Sequence, residues 1–320
     1  MTKRLAMLIS ILILAVFTAA CGNQSSSNED AAAASDNGEK EQKTVTVEHE
    51  LGKTEVPVNP EKVVVFDFGT LDTLKKLGVD VTAVPKENLP SYLSDYDSEE
   101  YENAGTLFEP DFEKLSEIDP DLIIISGRTA EAYDDLNELA PTIHLGVDTT
   151  RYMDSFKENA TVLGKIFGKE SQVEEELAAI DEQISELNEK ASASEKDSLI
   201  ILTNDGSINA YGPGSRFGVI HDVFGFQAVD ENIEASTHGQ NISFEYLVEN
   251  DPDYLFVVDR NQVVGGESSA EKTLDNKLVQ DTKAYKDENI VYLNPDYWYL
   301  SGGGLISVSE MVNEVASSME

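Results

Sequence analysis

Two arginines stand at matched places in a passage that this chain writes twice: Asp111 to Arg128 reads DFEKLSEIDPDLIIISGR, and Ser243 to Arg260 reads SFEYLVENDPDYLFVVDR. A guanidinium stays charged at any physiological pH, presents a planar fork of donors and stacks on aromatic faces. Two of them aimed into one cleft would therefore grip an anion with adjacent oxygens. A third arginine, Arg216, lies in Gly212-Pro213-Gly214-Ser215-Arg216-Phe217-Gly218, a turn leading to a helix whose first backbone N–H groups also point outward. That spacing fits neither GxGxxG nor a Walker sequence, so the loop reads as a turn presenting Arg216. A lone arginine in so acidic a chain reads as a surface salt bridge, whereas recurrence at matched positions argues for a shared ligand.

The elements around these arginines follow from the same repeat. Each copy is a short helical stretch carrying Phe-Glu-x-x-Leu, a stop at Asp-Pro-Asp, an apolar run of strand length, and the arginine where that run ends. In open α/β sheets ligands bind outside the carboxyl ends of the strands, so Arg128 and Arg260 are expected to face one cleft from two related lobes. The first lobe is expected to hold strands at Lys62–Phe66, Val79–Val84 and Thr142–Leu145. Its helices are expected at Thr70–Leu77, closed by Gly78, near Thr129–Leu139, and from about Arg151 to Phe167. Ser171 with Glu174 three residues on reads as a helix cap, and Val173, Leu177, Ile180, Ile184 and Leu187 recur at helical spacing to about Lys190. One long helix thus joins the lobes, and Ser198–Thr203 opens the second. The expected fold is α/β, two Rossmann-like lobes over residues 44–168 and 197–320 joined by a single crossing helix at 169–196. So rigid a connection predicts modest domain closure.

Composition narrows the chemistry. At 320 residues and a formal charge of -38 the chain has room for about two domains and is a poor partner for nucleic acid. Small anions would be repelled at long range, so an anion site must be a local cluster of positive donors. Lys3 and Arg4 before the apolar run Leu5–Ala20 read as a secretory signal over residues 1–20. Gly22–Lys43 is almost free of apolar residues and reads as a flexible tether. With one cysteine, Cys21, neither disulfides nor CxxC chemistry is open to the chain. No GxSxG elbow appears, and His49, His144, His221 and His238 are scattered, so nothing argues for an enzyme or a helical zinc motif.

The segments NPEKVVVFDFGTLDTL, EPDFEKLSEIDPDLIIISGR, AYGPGSRFGVIHDVFGF, STHGQNISFEYL, DPDYLFVVDR and NPDYWYLSGGG span nearly the whole chain. Through them the chain resembles substrate-binding lipoproteins of the ferric siderophore, haem and vitamin B12 class (class III substrate-binding proteins), which feed ABC importers. It looks most like the catecholate-binding branch typified by petrobactin receptors. The resemblance implies an iron-loaded siderophore as cargo, no cofactor of the protein's own, and Arg128, Arg216 and Arg260 on the catecholate oxygens. His238 and Tyr299 match positions that supply iron ligands where the siderophore leaves coordination sites open. Lys86 and Trp298 are further candidates at the cleft, although the Tyr297-Trp298-Tyr299 run also reads as ordinary cleft or core aromatics. Cys21 after Thr18-Ala19-Ala20 resembles a lipobox cysteine, with Thr18 departing from the usual Leu; it implies a lipid anchor on the outer face of a Gram-positive-type cell membrane. Glu113 and Glu245, equivalent in the repeat, match the residues that dock on two permease subunits, beyond which a cytosolic ATPase would act. A monomer is expected. A haem or corrinoid receptor of the same fold would need axial His, Met or Tyr ligands. A manganese or zinc receptor would need about three or four converging His, Asp or Glu side chains.

Overall fold

The computed structural model describes residues 43–320; the expected signal segment, Cys21 and all of the tether before Lys43 lie outside the described residues. Five parallel strands form the first sheet, in the order Glu102–Asn103, Ala83–Val84, Val63–Val65, Leu122–Ile125, Thr142–His144. Its central runs, VVV and LIII, are wholly buried, as befits strands covered on both faces.

The second sheet repeats this order. Gln227–Ala228, Asp197–Asn204, Tyr254–Asp259 and Ile290–Leu293 pair in parallel just as 83–84, 63–65, 122–125 and 142–144 do. Two antiparallel strands, Ser207–Tyr211 and Gln240–Ile242, are added at one side, the first through the tight turn Asp205-Gly206, both at positive φ. The loop that follows Tyr211 carries Arg216, so the third arginine belongs to an addition that the first sheet lacks.

Both repeat helices begin and end alike. Asp111 caps Phe112–Ile118 by accepting from the Lys114 N–H at 3.0 Å, and Ser243 caps Phe244–Asn250 by accepting from the Tyr246 N–H at 3.4 Å. Each ends on an aspartate in the left-handed region, Asp119 at φ 54° and Asp251 at φ 45°, followed by the proline that prevents further helix.

Sequence reading and structure differ in several elements. The second expected strand shrinks to Ala83–Val84, and the stretch near Thr129 divides into a 3₁₀ turn at Ala130–Ala132 and a helix at Tyr133–Leu139. The crossing helix runs Glu170–Ser194, with Lys169 at its N-cap, so Ser171 lies inside the first turn and caps nothing. Its stripe of Val173, Ile180, Ile184, Leu187 and Ala191 is buried against the helices Tyr152–Phe167 and Leu305–Ser317. An N-terminal hairpin, Thr44–His49 with Gly52–Pro57, precedes the first sheet and buries Val47 and Val56. The alternation in TVTVEH signals that strand.

The end of the chain returns to the first half. After a π-helical stretch at Asp296–Ser301, the helix Leu305–Ser317 packs on Phe68–Leu77. Buried Asp72 accepts from the N–H groups of Ile306 (3.2 Å) and Ser307 (3.0 Å), filling the open donors of that helix start. The approach requires glycine: a Cβ on Gly304 would sit 1.8 Å from Asp72 Oδ1. The Tyr92 hydroxyl donates to Asp72 at 3.0 Å and accepts from the Ser301 hydroxyl at 2.6 Å, tying the same junction from a third element, Ser91–Asp97.

Candidate ligand-binding site

Three guanidiniums converge on one residue, Tyr299, in the π-helical stretch. Arg128, three residues beyond its strand, donates from Nη2 to the Tyr299 carbonyl (2.7 Å) and from Nη1 to the Leu300 carbonyl (3.1 Å). Arg216 donates to the same Tyr299 carbonyl at 2.6 Å, with Cζ 4.3 Å from the Tyr299 ring centre and 5.3 Å from that of Phe217. Arg260, directly after its strand, donates from Nε to the Tyr299 hydroxyl at 3.1 Å and from Nη1 to Asn204 Oδ1 at 3.3 Å. The wider repeat of a π-helix leaves carbonyls outside the α-helical ladder, which is how one backbone segment receives two arginines.

Among the described residues no carboxylate forms an ion pair with any of the three. In a chain with 61 acidic residues, three partly buried arginines without one are a marked exception. Burial first, and the like charge of Arg128 second, lower the Arg216 guanidinium from its ordinary value. Burial by itself would raise the Tyr299 phenol, but the Arg260 hydrogen bond and the charges of Arg216, Arg260 and Arg128 outweigh it and hold it below the usual tyrosine value. Such a cluster of guanidiniums can pair with anionic oxygens and lie against an aromatic face.

The other expected site residues lie elsewhere. Trp298 is 2% exposed, packs edge-on to Phe224 and donates its indole N–H to Glu314 at 2.8 Å, so it is a core residue and does not line the cleft. Lys86 donates to the carbonyls of Asp97 (3.0 Å) and Ser98 (2.7 Å), holding a loop of the first half rather than joining the cluster. His238 is exposed and makes no hydrogen bond to the arginines or Tyr299; its backbone contacts Ser236 and Asn209. Glu113 and Glu245 are both exposed in the first turns of the two repeat helices. Sequence reasoning missed Asn204, whose Asn-Asp-Gly-Ser context marks a hairpin end, and the Tyr299 and Leu300 carbonyls, which no residue type announces.

Among the described residues no group of three or more His, Cys, Asp or Glu side chains converges to hold a metal ion, and no helix is long and apolar enough to cross a membrane. An open depression of about 430 Å³ between Lys53–Glu55 and Asn137–Pro141 shares no residue with the arginine cluster.

The periplasmic binding protein family matches residues 63–297. The chain belongs to that family. It is 50% identical over 322 residues to the petrobactin-binding protein YclQ of Bacillus subtilis, covering 99% of each chain. The crystal structure of YclQ superposes with a TM-score of 0.86 over 87% of this chain and 99% of that one. The catecholate-siderophore binding protein VctP of Vibrio cholerae, 37% identical, superposes with a TM-score of 0.82 over 86% of this chain and 100% of its own. The class III periplasmic binding protein fold, with its parallel sheets and long crossing helix, is therefore shown, and the family is one of binding proteins rather than enzymes.

Proposed function

We propose that this periplasmic binding protein captures a petrobactin-like ferric catecholate siderophore and delivers it to an ABC permease for iron uptake. The observation that carries the reading is the convergence of Arg128, Arg216 and Arg260 on Tyr299 with no carboxylate among the described residues paired to them. A ferric catecholate offers what this cluster lacks: adjacent anionic oxygens, with flat ring faces for guanidinium to lie against. YclQ is a petrobactin-binding protein and VctP a catecholate-siderophore binding protein, which supports the ligand class. Tyr299, and His238 with it, serve as direct iron ligands only for a siderophore that leaves coordination sites open.

In this reading Cys21 carries the lipid anchor on the outer face of the membrane, residues 21–43 tether the protein, and it works as a monomer. The two lobes, residues 44–168 and 197–320, form the walls of the cleft. Glu113 and Glu245 dock on the two permease subunits, with the ATPase beyond them.

The test is a titration of the body from Thr44 onward with ferric petrobactin, a ferric bis-catecholate, haemin and a ferric hydroxamate, followed by intrinsic fluorescence. Quenching at low ligand concentration by the catecholates alone is the expected result. Preference for haemin or the hydroxamate overturns the arginine assignment, and no binding by any of them overturns the transport reading.

A further inference from the structure

We infer that a cavity of about 330 Å³ between the lobes, walled by Leu89, Ser91, Gln262, Val263, Asp296 and Leu300, is a second subsite that takes a protonated amine on an arm of the same ligand, with Asp296 as its counter-charge. The inference rests on the siderophore reading and adds to it a ligand that is anionic at one end of the cleft and cationic at the other.

The cavity adjoins the arginine cluster through the backbone. The Leu300 carbonyl on its wall holds Arg128, and the Arg260 carbonyl accepts from the N–H of Val263 on the same wall at 3.2 Å. Asp296 and Leu300 stand about one helical turn apart in the π-helical stretch and so share a face. Its volume is at the lower end of small-ligand pockets, suited to one arm of a ligand whose bulk lies outside.

The chemistry of the walls is divided. Leu89, Val263 and Leu300 offer apolar surface to a methylene stem, while Asp296 offers a single negative charge. Asp296 is 9% exposed, and one of its oxygens, Oδ2, receives the Ser91 N–H at 2.9 Å together with the Ser91 hydroxyl. Among the described residues its other oxygen accepts no hydrogen bond, and no lysine, arginine or histidine pairs with it. A buried carboxylate half satisfied by neutral donors gains from an ammonium, which supplies both charge and hydrogen bonds. Guanidiniums a few residues away cannot fill that role while they are turned toward Tyr299.

Two ferric bis-catecholates test the inference: one whose linker carries protonated secondary amines, and one with ether oxygens in their place. The wild-type protein is expected to bind the amine complex about tenfold or more tightly than the ether complex. Asp296→Asn, which keeps an acceptor for Ser91, is expected to erase that preference by weakening the amine complex alone. Gln262→Lys changes an exposed residue at the cavity wall, so its folding does not depend on the Ser91 contact. It is expected to weaken the amine complex and leave the ether complex unchanged. Equal binding of the two complexes by the wild type, or equal losses for both in the variants, overturns the inference while leaving the arginine site standing. Failure of the wild type to bind either complex overturns the siderophore reading and this inference with it.

Discussion

Of the three arginines, Arg216 packs most closely on Tyr299. It shares a carbonyl with Arg128, lies closest to the Tyr299 ring, and is lowered from its ordinary value chiefly by burial. Arg216→Ala is expected to weaken a ferric catecholate by about tenfold to a hundredfold in the fluorescence titration, the range of one charge-assisted contact. Arg216→Lys should rescue little, since an ammonium neither forks nor stacks. Tyr299 gives an independent optical test. Its phenol is held below the usual value by the guanidiniums around it, while burial raises those of Tyr92, Tyr96, Tyr152 and Tyr246. An alkaline titration of phenolate absorbance should show an early step in the wild type that is missing in Tyr299→Phe; an unchanged curve would place the ionising residue elsewhere. The three arginines and Tyr299 were legible in the sequence because repeat and motif mark residue types. Trp298 stayed open between cleft and core because an aromatic beside a site residue looks the same in sequence whichever way it faces; here it faces the core.

At the scale of elements, the junction of Asp72 with the helix Leu305–Ser317 holds the end of the chain to its beginning. Burial is the largest influence on this carboxyl and raises it from 3.8 to about 7, with the hydrogen bonds from Ser307 and Tyr92 opposing. The folded state therefore holds the proton more tightly than the unfolded state. The stability this contributes is complete below 3.8 and is lost as pH rises through about 7. Asp72→Asn should flatten that part of the stability curve, so urea midpoints of the two proteins should draw together or cross as pH rises over this window. A constant difference would mean that Asp72 titrates alike in both states. None of this was visible beforehand, because sequence patterns report neighbours along the chain and Asp72 meets its partner more than two hundred residues away. The local signals fared better. Gly78 closes its helix as expected, whereas the cap signature at Ser171 was outweighed by the turn at Gly168, which starts the crossing helix at Glu170.

On the scale of the whole molecule, the written repeat became a spatial one: two sheets of matching parallel order, two helices with matching caps, and two exposed glutamates at matching first turns. Reversing one of these charges, Glu113→Lys or Glu245→Lys, is expected to cut iron uptake by cells while leaving siderophore affinity in solution unchanged; a parallel loss of affinity would refute a docking role. The written repeat revealed this duplication but not the two added antiparallel strands beside the Arg216 loop, since these are short and polar on one side. The bonds to Tyr299 carry one further consequence. Three long side chains, each free to adopt many rotamers in solution, already have their places before any ligand arrives. Much of the ordering that anion capture normally requires, on the order of 1.5–2 kcal/mol per arginine, is thus completed during folding. Competing siderophores should then enter at similar rates and differ mainly in how long they stay, so residence time is where selectivity for the right cargo would be read.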